Sequence, residues 1–187
     1  MFQRYPCLAE EMLDLAVALE DVGGFLDGEG IPFAVVGALA LHTYGYSRAT
    51  NDVDLLVGRE VQGRLIAYLE KRGFETLHRS DGYSNHLHAD PALGRLDVIY
   101  VDEDTRAKIF AAARLTSVAG MSVRVPTPEH LAAMKVHAMK NDPSRAFQEM
   151  ADIQFLMKIP GVDREQIRGY FEESGQVERF HEIERSL

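Results

Sequence analysis

Residues Val35–Val57 read VVGALALHTYGYSRATNDVDLLV, and the order of residue types in that stretch decides the fold. A short apolar run, Phe33 to Val36, meets two residues without bulk, Gly37 and Ala38, and Leu39 to Tyr44 then reads as the opening turns of a helix. At such a junction the free amides of the helix start carry partial positive charge and face outward. Only small residues let phosphate oxygens approach that backbone. Asp52 and Asp54 follow within Asn51 to Val57, alternating with Val53, Leu55 and Val57. Period-two geometry sends the apolar side chains to one face of a strand and both carboxylates to the other, side by side.

Two neighbouring carboxylates repel, so holding both ionised near neutral pH calls for a cation between or beside them. Magnesium suits: it prefers hard oxygen ligands and is bound by one or two carboxylates together with substrate phosphates. Asp-x-Asp alone is commonly a solvated strand edge. Its combination with a small-residue turn is far more specific.

The segment Arg48-Ala49-Thr50-Asn51-Asp52-Val53-Asp54-Leu55, following the Gly37-Ala38 turn, resembles the signature of the nucleotidyltransferase superfamily that includes DNA polymerase beta, in the R-x-T-x-D-hydrophobic-D form of its minimal members. Among these the chain most resembles the abortive-infection (AbiE-type) toxin nucleotidyltransferases and their bacterial relatives, over about residues 30 to 160. The resemblance implies an α/β (α+β) nucleotidyltransferase fold, a mixed β-sheet flanked by helices. A catalytic core at 1–126 and a C-terminal helical region at 127–187 are expected. It also implies an NTP as substrate, two Mg2+ ions with Mn2+ as a substitute, and transfer of NMP to an acceptor that is a small molecule, a protein or tRNA. The family usually has Gly-Gly or Gly-Ser in the turn. Here Ala38 keeps the backbone cradle but supplies no hydroxyl.

A third carboxylate is expected on a strand beside the first two. Asp97 fits best, in Gly94 to Tyr100, where Leu96, Val98 and Tyr100 alternate with it. By resemblance it is a metal ligand with Asp52 and Asp54, and accepts the proton of the attacking hydroxyl. Asp90 and Asp102 compete, but Asp90 precedes Pro91 in an apparent turn, and Asp102 stands in the acidic exit Asp102-Glu103-Asp104. Ser47 and Arg48, just before the strand, could reach a phosphate, as could Thr50 of the motif; the alternative is that Arg48 is a surface arginine.

Thr127-Pro128-Glu129 is a helix start, with a capping hydroxyl, proline in the first turn and an acid against the helix dipole. That helix runs to about Lys140. A second follows from Ser144 to about Lys158, with Phe147, Met150, Ala151, Phe155 and Leu156 apolar. The resemblance implies that Lys135 lies over the triphosphate as a point charge and that Asp152 orients it. The alternative is an interhelical ion pair, or a lysine reaching to solvent.

The other elements read as an amphipathic helix Leu8 to Leu26, strand Ile31 to Val36 and helix Glu60 to Arg72. A hairpin of Glu75 to Arg79 with Tyr83 to His88 comes next, then helix Thr105 to Ala113 and strands Leu115 to Ala119 and Met121 to Val125. The final helices, Asp163 to Ser174 and Gln176 to Leu187, carry enough apolar surface to pack on the core or on a second copy as a homodimer. His86 and His88 are expected at the cleft mouth, where they could touch an acceptor. Zinc is disfavoured, because there is no H-E-x-x-H and Cys7 is the one cysteine; being near the terminus, it reads as incidental.

With 187 residues, 46% hydrophobic and 26% charged, the chain has the composition of an ordinary soluble globular protein. Its net charge of −9 argues against nonspecific nucleic-acid binding, which depends on many lysines and arginines displacing counterions. Lys108, Arg114, Arg124, Lys135, Lys140 and Arg145 could still form a local basic rim. The acidic balance favours a small-molecule or protein acceptor. No signal-peptide core and no bilayer-length apolar run is present, so a cytoplasmic location is expected. A toxin role would imply an antitoxin partner. The alternative function is a catalytically silent binding or scaffold protein on the same fold; a phosphohydrolase ranks last, lacking histidine-aspartate pairs.

Overall fold

The apolar spacing of Leu15, Leu19, Val22 and Leu26 builds α1 (Leu8–Gly28) and buries all four side chains. The computed structural model describes residues 8–91 and 93–187, with side chains from Leu15 onward; the expectation for Cys7 lies outside them. After α1 the chain forms β1 (Phe33–Val35), α2 (Gly37–His42), β2 (Asp52–Gly58), α3 (Gln62–Lys71), β3 (Phe74–Arg79), β4 (Tyr83–His88), β5 (Arg95–Val101), α4 (Glu103–Ala112), β6 (Arg114–Val118) and β7 (Met121–Val125). A compact unit ends at Val125 and a second spans Pro126–Leu187.

Among the described residues seven strands form one mixed sheet in the order β3-β4-β5-β2-β1-β7-β6. The β2–β5 and β1–β7 pairs are parallel, and the rest are antiparallel. The central strands are covered on their apolar face: Val53, Leu55, Val57, Leu96 and Val98 are almost wholly buried. Alternation across β2 and β5 therefore leaves Asp52, Asp54 and Asp97 together on the other face. This is the mixed sheet with flanking helices that the sequence leads one to expect.

One boundary moves for a local reason. The acidic exit after β5 is not a loop but a helix start: Asp102 Oδ1 accepts the Thr105 amide at 2.8 Å, so α4 begins at Glu103 instead of Thr105. That bond also holds the Asp102 carboxyl below its ordinary range.

The second unit is helical, with α5 (Pro128–Asn141), α6 (Ala146–Leu156), α7 (Arg164–Ser174) and α8 (Val177–Glu184). Thr127 caps α5 through the His130 amide, with Pro128 in its first turn. Asp163 caps α7, and Gly175 closes it in the left-handed conformation with φ 72°. The inward face of α6 differs from the apolar stripe expected for it. Glu149, Asp152, Ile153 and Leu156 are buried at helical spacing, while Phe147 is 91% exposed. Two acids face inward because a lysine on α5 meets them, as described below.

Candidate metal centre

Strand register assembles the carboxylates. In the parallel β2–β5 pair Asp54 lies opposite Asp97 and Asp52 opposite Arg95. The three aspartates each offer an oxygen within 4.8 Å of the others, and among the described residues this is the group of three metal-ligating side chains so placed. Clustered hard oxygens suit a magnesium-like ion, and their mutual repulsion gives them reason to take one. Thr50, in the motif just before β2, donates its hydroxyl to Asp52 Oδ1 and fixes that carboxylate's rotation.

The turn is bound to the same site. Val36 N donates to Asp54 O at 3.0 Å, and Gly37 follows with φ 59°. A Cβ on Gly37 would stand 1.8 Å from Asp54 Oδ2, an overlap no side chain can occupy. Glycine is required here twice over, for the left-handed backbone and for the close approach of the carboxylate. Gly37→Ala is expected to cost at least about 1–2 kcal/mol in backbone strain alone and to push the Asp54 carboxylate away, checked by urea denaturation. A variant as stable as the parent would mean that the turn relaxes freely. Ala38 turns its side chain into the core, leaving only its backbone for the site. Ser47 is exposed, and Arg48 is anchored through its carbonyl, 2.8 Å from His42 Nε2.

Asp97 is buried and densely bonded. Asn85 Nδ2 and Arg95 Nε donate to its Oδ1 at 2.7 and 3.0 Å; Tyr83 OH and Arg95 Nη2 donate to its Oδ2 at 3.0 and 3.4 Å. Asn85 in turn donates to Tyr83 OH. Burial, and then the Asp97 charge, push the Tyr83 phenol up, keeping it a donor; the bond to Asp97 raises the Arg95 guanidinium further. Tyr83, Asn85 and Arg95 were not singled out from the sequence. The signal was present, because Arg95 stands two residues before Asp97 on its strand and Tyr83 and Asn85 alternate on the neighbouring one.

His86 is placed otherwise than expected. It pairs with Leu96, on the face opposite Asp97, and is 0% exposed. Its bonds fix its tautomer: Thr76 gives its one hydroxyl proton to Glu70 at 3.0 Å and so accepts from His86 Nδ1 at 3.2 Å. Nε2 is then bare and accepts from Ser84 Oγ at 2.8 Å, which accepts from Tyr100 OH at 2.8 Å. His88, on the same face, accepts the Asp90 amide at Nδ1 and meets Arg72 O at Nε2, so neither ring is offered to an acceptor.

Burial lowers the His86 pKa, partly opposed by Asp97. A histidine held neutral in the fold contributes stability that is complete above its unfolded value near 6.5 and is lost as pH falls below it. The melting temperature is expected to drop between pH 7 and 5.5, with a His86 contribution to the slope of at most about 1.4 kcal/mol per pH unit. His86→Gln should flatten that slope; an unchanged slope would show that His86 takes up its proton at no cost to folding.

In the helical unit Lys135 is 6% exposed, its Nζ 2.9 Å from Glu149 Oε2 and bonded also to Asp152 Oδ2. Gln148 Nε2 donates to Asp152 Oδ1 at 2.9 Å, and Arg145 meets Glu149 Oε1 at 2.6 Å. Lys135 is therefore in a buried interhelical ion cluster, and neither it nor Arg145, tied to Glu149, is a bare member of a basic rim. Glu149 was not anticipated, because the apolar residues beside it suggested a different inward face.

No family model matches the chain, and no curated protein matches it by sequence. Solved structures do. The antibiotic-resistance factor ANT(2'')-Ia is similar with TM-score 0.66 and 15% identity, over 91% of this chain and 95% of that one. The lincomycin-bound lincosamide antibiotic adenylyltransferase LnuA gives TM-score 0.55 and 13% identity, over 76% and 96%. An antigenic nucleotidyltransferase-like protein from Paracoccidioides brasiliensis gives 0.54 and 16%, over 92% and 90%. At these identities the likeness is one of fold, and the fold is that of nucleotidyltransferases. Among the described residues no helix is long and apolar enough to cross a membrane.

Proposed function

We propose that this chain is a metal-dependent nucleotidyltransferase that moves the NMP group of an NTP to a hydroxyl of a small acceptor. The observation that carries the reading is the convergence of Asp52, Asp54 and Asp97 beside the Gly37 turn. Mg2+ is the natural ion for three aspartate oxygens. When bound, such ions polarise the phosphate oxygens and stabilise both the attacking and the leaving oxygen. Asp52 and Asp54 would hold the ions, with Asp97 a further ligand to the one nearest the acceptor; Thr50 orients Asp52, and the backbone at Gly37 and Ala38 would receive the triphosphate with Ser47 and Arg48 near it. Asp97 takes the proton of the acceptor hydroxyl as its oxygen bonds to the α-phosphorus; the bond from that phosphorus to the bridging oxygen breaks, and pyrophosphate leaves.

A small acceptor is preferred because the net charge of −9 disfavours a polyanion. Two of the similar folds, in ANT(2'')-Ia with adenylyl-2''-tobramycin and LnuA with lincomycin, belong to proteins bound to antibiotics. Lys135 and Asp152, assigned to the nucleotide by the AbiE-type resemblance, are engaged with each other and with Glu149. A toxin-like role with an antitoxin partner rests on that resemblance alone.

The test is label transfer. With α-labelled NTP, Mg2+ and a panel of hydroxylated small molecules, label is expected in an acceptor adduct and pyrophosphate in solution, both stopped by a chelator. Release of inorganic phosphate without an adduct would turn the reading to hydrolysis, and nucleotide binding without turnover would turn it to the scaffold alternative.

A further inference from the structure

While Arg95 is in place the four donors on Asp97 leave no lone pair open, either for an ion or for the proton of an acceptor hydroxyl. A carboxylate has about four lone-pair sites, and Asn85, Tyr83 and the two nitrogens of Arg95 take up two on each oxygen. A metal ion at Asp97 must displace one of these donors. Asn85 and Tyr83 stand on β4 and bond to each other, Asn85 short and buried, Tyr83 a rigid half-buried ring. Arg95 is long, its side chain is 46% exposed, and it alone among the donors carries charge. Its register opposite Asp52 sets it on the face where the three acids gather.

We infer that Arg95 is a built-in counter-cation of the carboxylate cluster, competing with the divalent ion for Asp97 and turning away when the ion binds. The inference rests on the metal-dependent reading above and adds a regulating residue to that site. The guanidinium supplies the positive charge that three converging carboxylates need while no ion is bound, through a fork fitted to both oxygens of Asp97. A divalent ion and that guanidinium repel each other on one carboxylate, so the two states exclude each other. Arg95 sets how much free ion is required, and Asn85 and Tyr83 keep Asp97 aimed in both states.

The experiment is a titration of the full-length chain, stripped of divalent ions, with Mn2+, free ion being read by electron paramagnetic resonance. Arg95→Met removes the competitor at similar length, and its Mn2+ dissociation constant is expected to fall about tenfold, the size of one charge-assisted contact partly screened by water. Arg95→Lys, which keeps charge but cannot fork, should lie between parent and Arg95→Met. Melting without and with Mn2+ gives a second reading: Arg95→Met is expected to start lower and gain more from the ion. Equal or weaker Mn2+ affinity in Arg95→Met, with Asp97→Asn still weakening the parent, overturns the competition and leaves the metal site standing. If no protein binds Mn2+ more tightly than Asp97→Asn does, both fall. Should Arg95→Met not fold, an Arg95→Lys affinity equal to the parent's overturns the inference by itself.

Discussion

Asp54→Asn is expected to lower nucleotidyl transfer about a thousandfold, roughly 4 kcal/mol of transition-state stabilisation, while leaving the fold intact. Asparagine keeps the size of aspartate, so the close fit against Gly37 and the backbone bond from Val36 to residue 54 survive. What disappears is a negative charge facing Asp97 across the β2–β5 pair. Without an ion bound, that removal relieves repulsion among three carboxylates, and the melting temperature should hold or rise slightly. Initial rates with labelled NTP and a thermal melt check the two halves together. A loss of less than tenfold at unchanged stability would take Asp54 out of the reaction.

Lys135→Ala is expected to act in the opposite sense, costing about 3–5 kcal/mol of folding stability by leaving Glu149 and Asp152 buried without the lysine between them. Arg145 and Gln148 still reach one oxygen each, but neither replaces an ammonium bonded to both acids. Urea denaturation measures the loss. The variant also separates two roles for Lys135: a residue serving the triphosphate would give a raised KM for NTP with a nearly unchanged denaturation midpoint. The ion cluster predicts a large shift of the midpoint.

The parts of this protein that could be read from its sequence are those set by period and punctuation. Alternation named the β2 and β5 strands and the side their aspartates take, and Gly37 and the Thr127-Pro128 start marked where helices begin. Strand pattern alone favours Asp97 over Asp102; the structure sets Asp97 beside Asp52 and Asp54, while Asp102 caps α4. Of the order β3-β4-β5-β2-β1-β7-β6, the β3–β4 hairpin and the Asp97 strand beside the Asp52 strand were expected; the rest was not accessible, since which strand neighbours which depends on long-range pairing. For the same reason the partners of Asp97 on β4 went unseen, and His86 was placed at the cleft when register puts it beneath the sheet's buried face. Phe147 misled for a different reason: its apolar character suggested burial, but the helix turns inward the two acids that Lys135 satisfies. One-dimensional patterning records the average of a face and not the exception that an ion cluster makes.

Because β2 and β5 are joined through α3 and the whole β3–β4 hairpin, the cluster of three carboxylates cannot form in a chain emerging from synthesis until all of that intervening segment has been made and docked. Before then Asp52 and Asp54 are a pair lacking their third member, on a strand missing one neighbour. Loop closure over so long a stretch is slow compared with forming any one helix. Assembly of the three carboxylates is thus a late event in folding, set by the length of chain between Asp54 and Asp97.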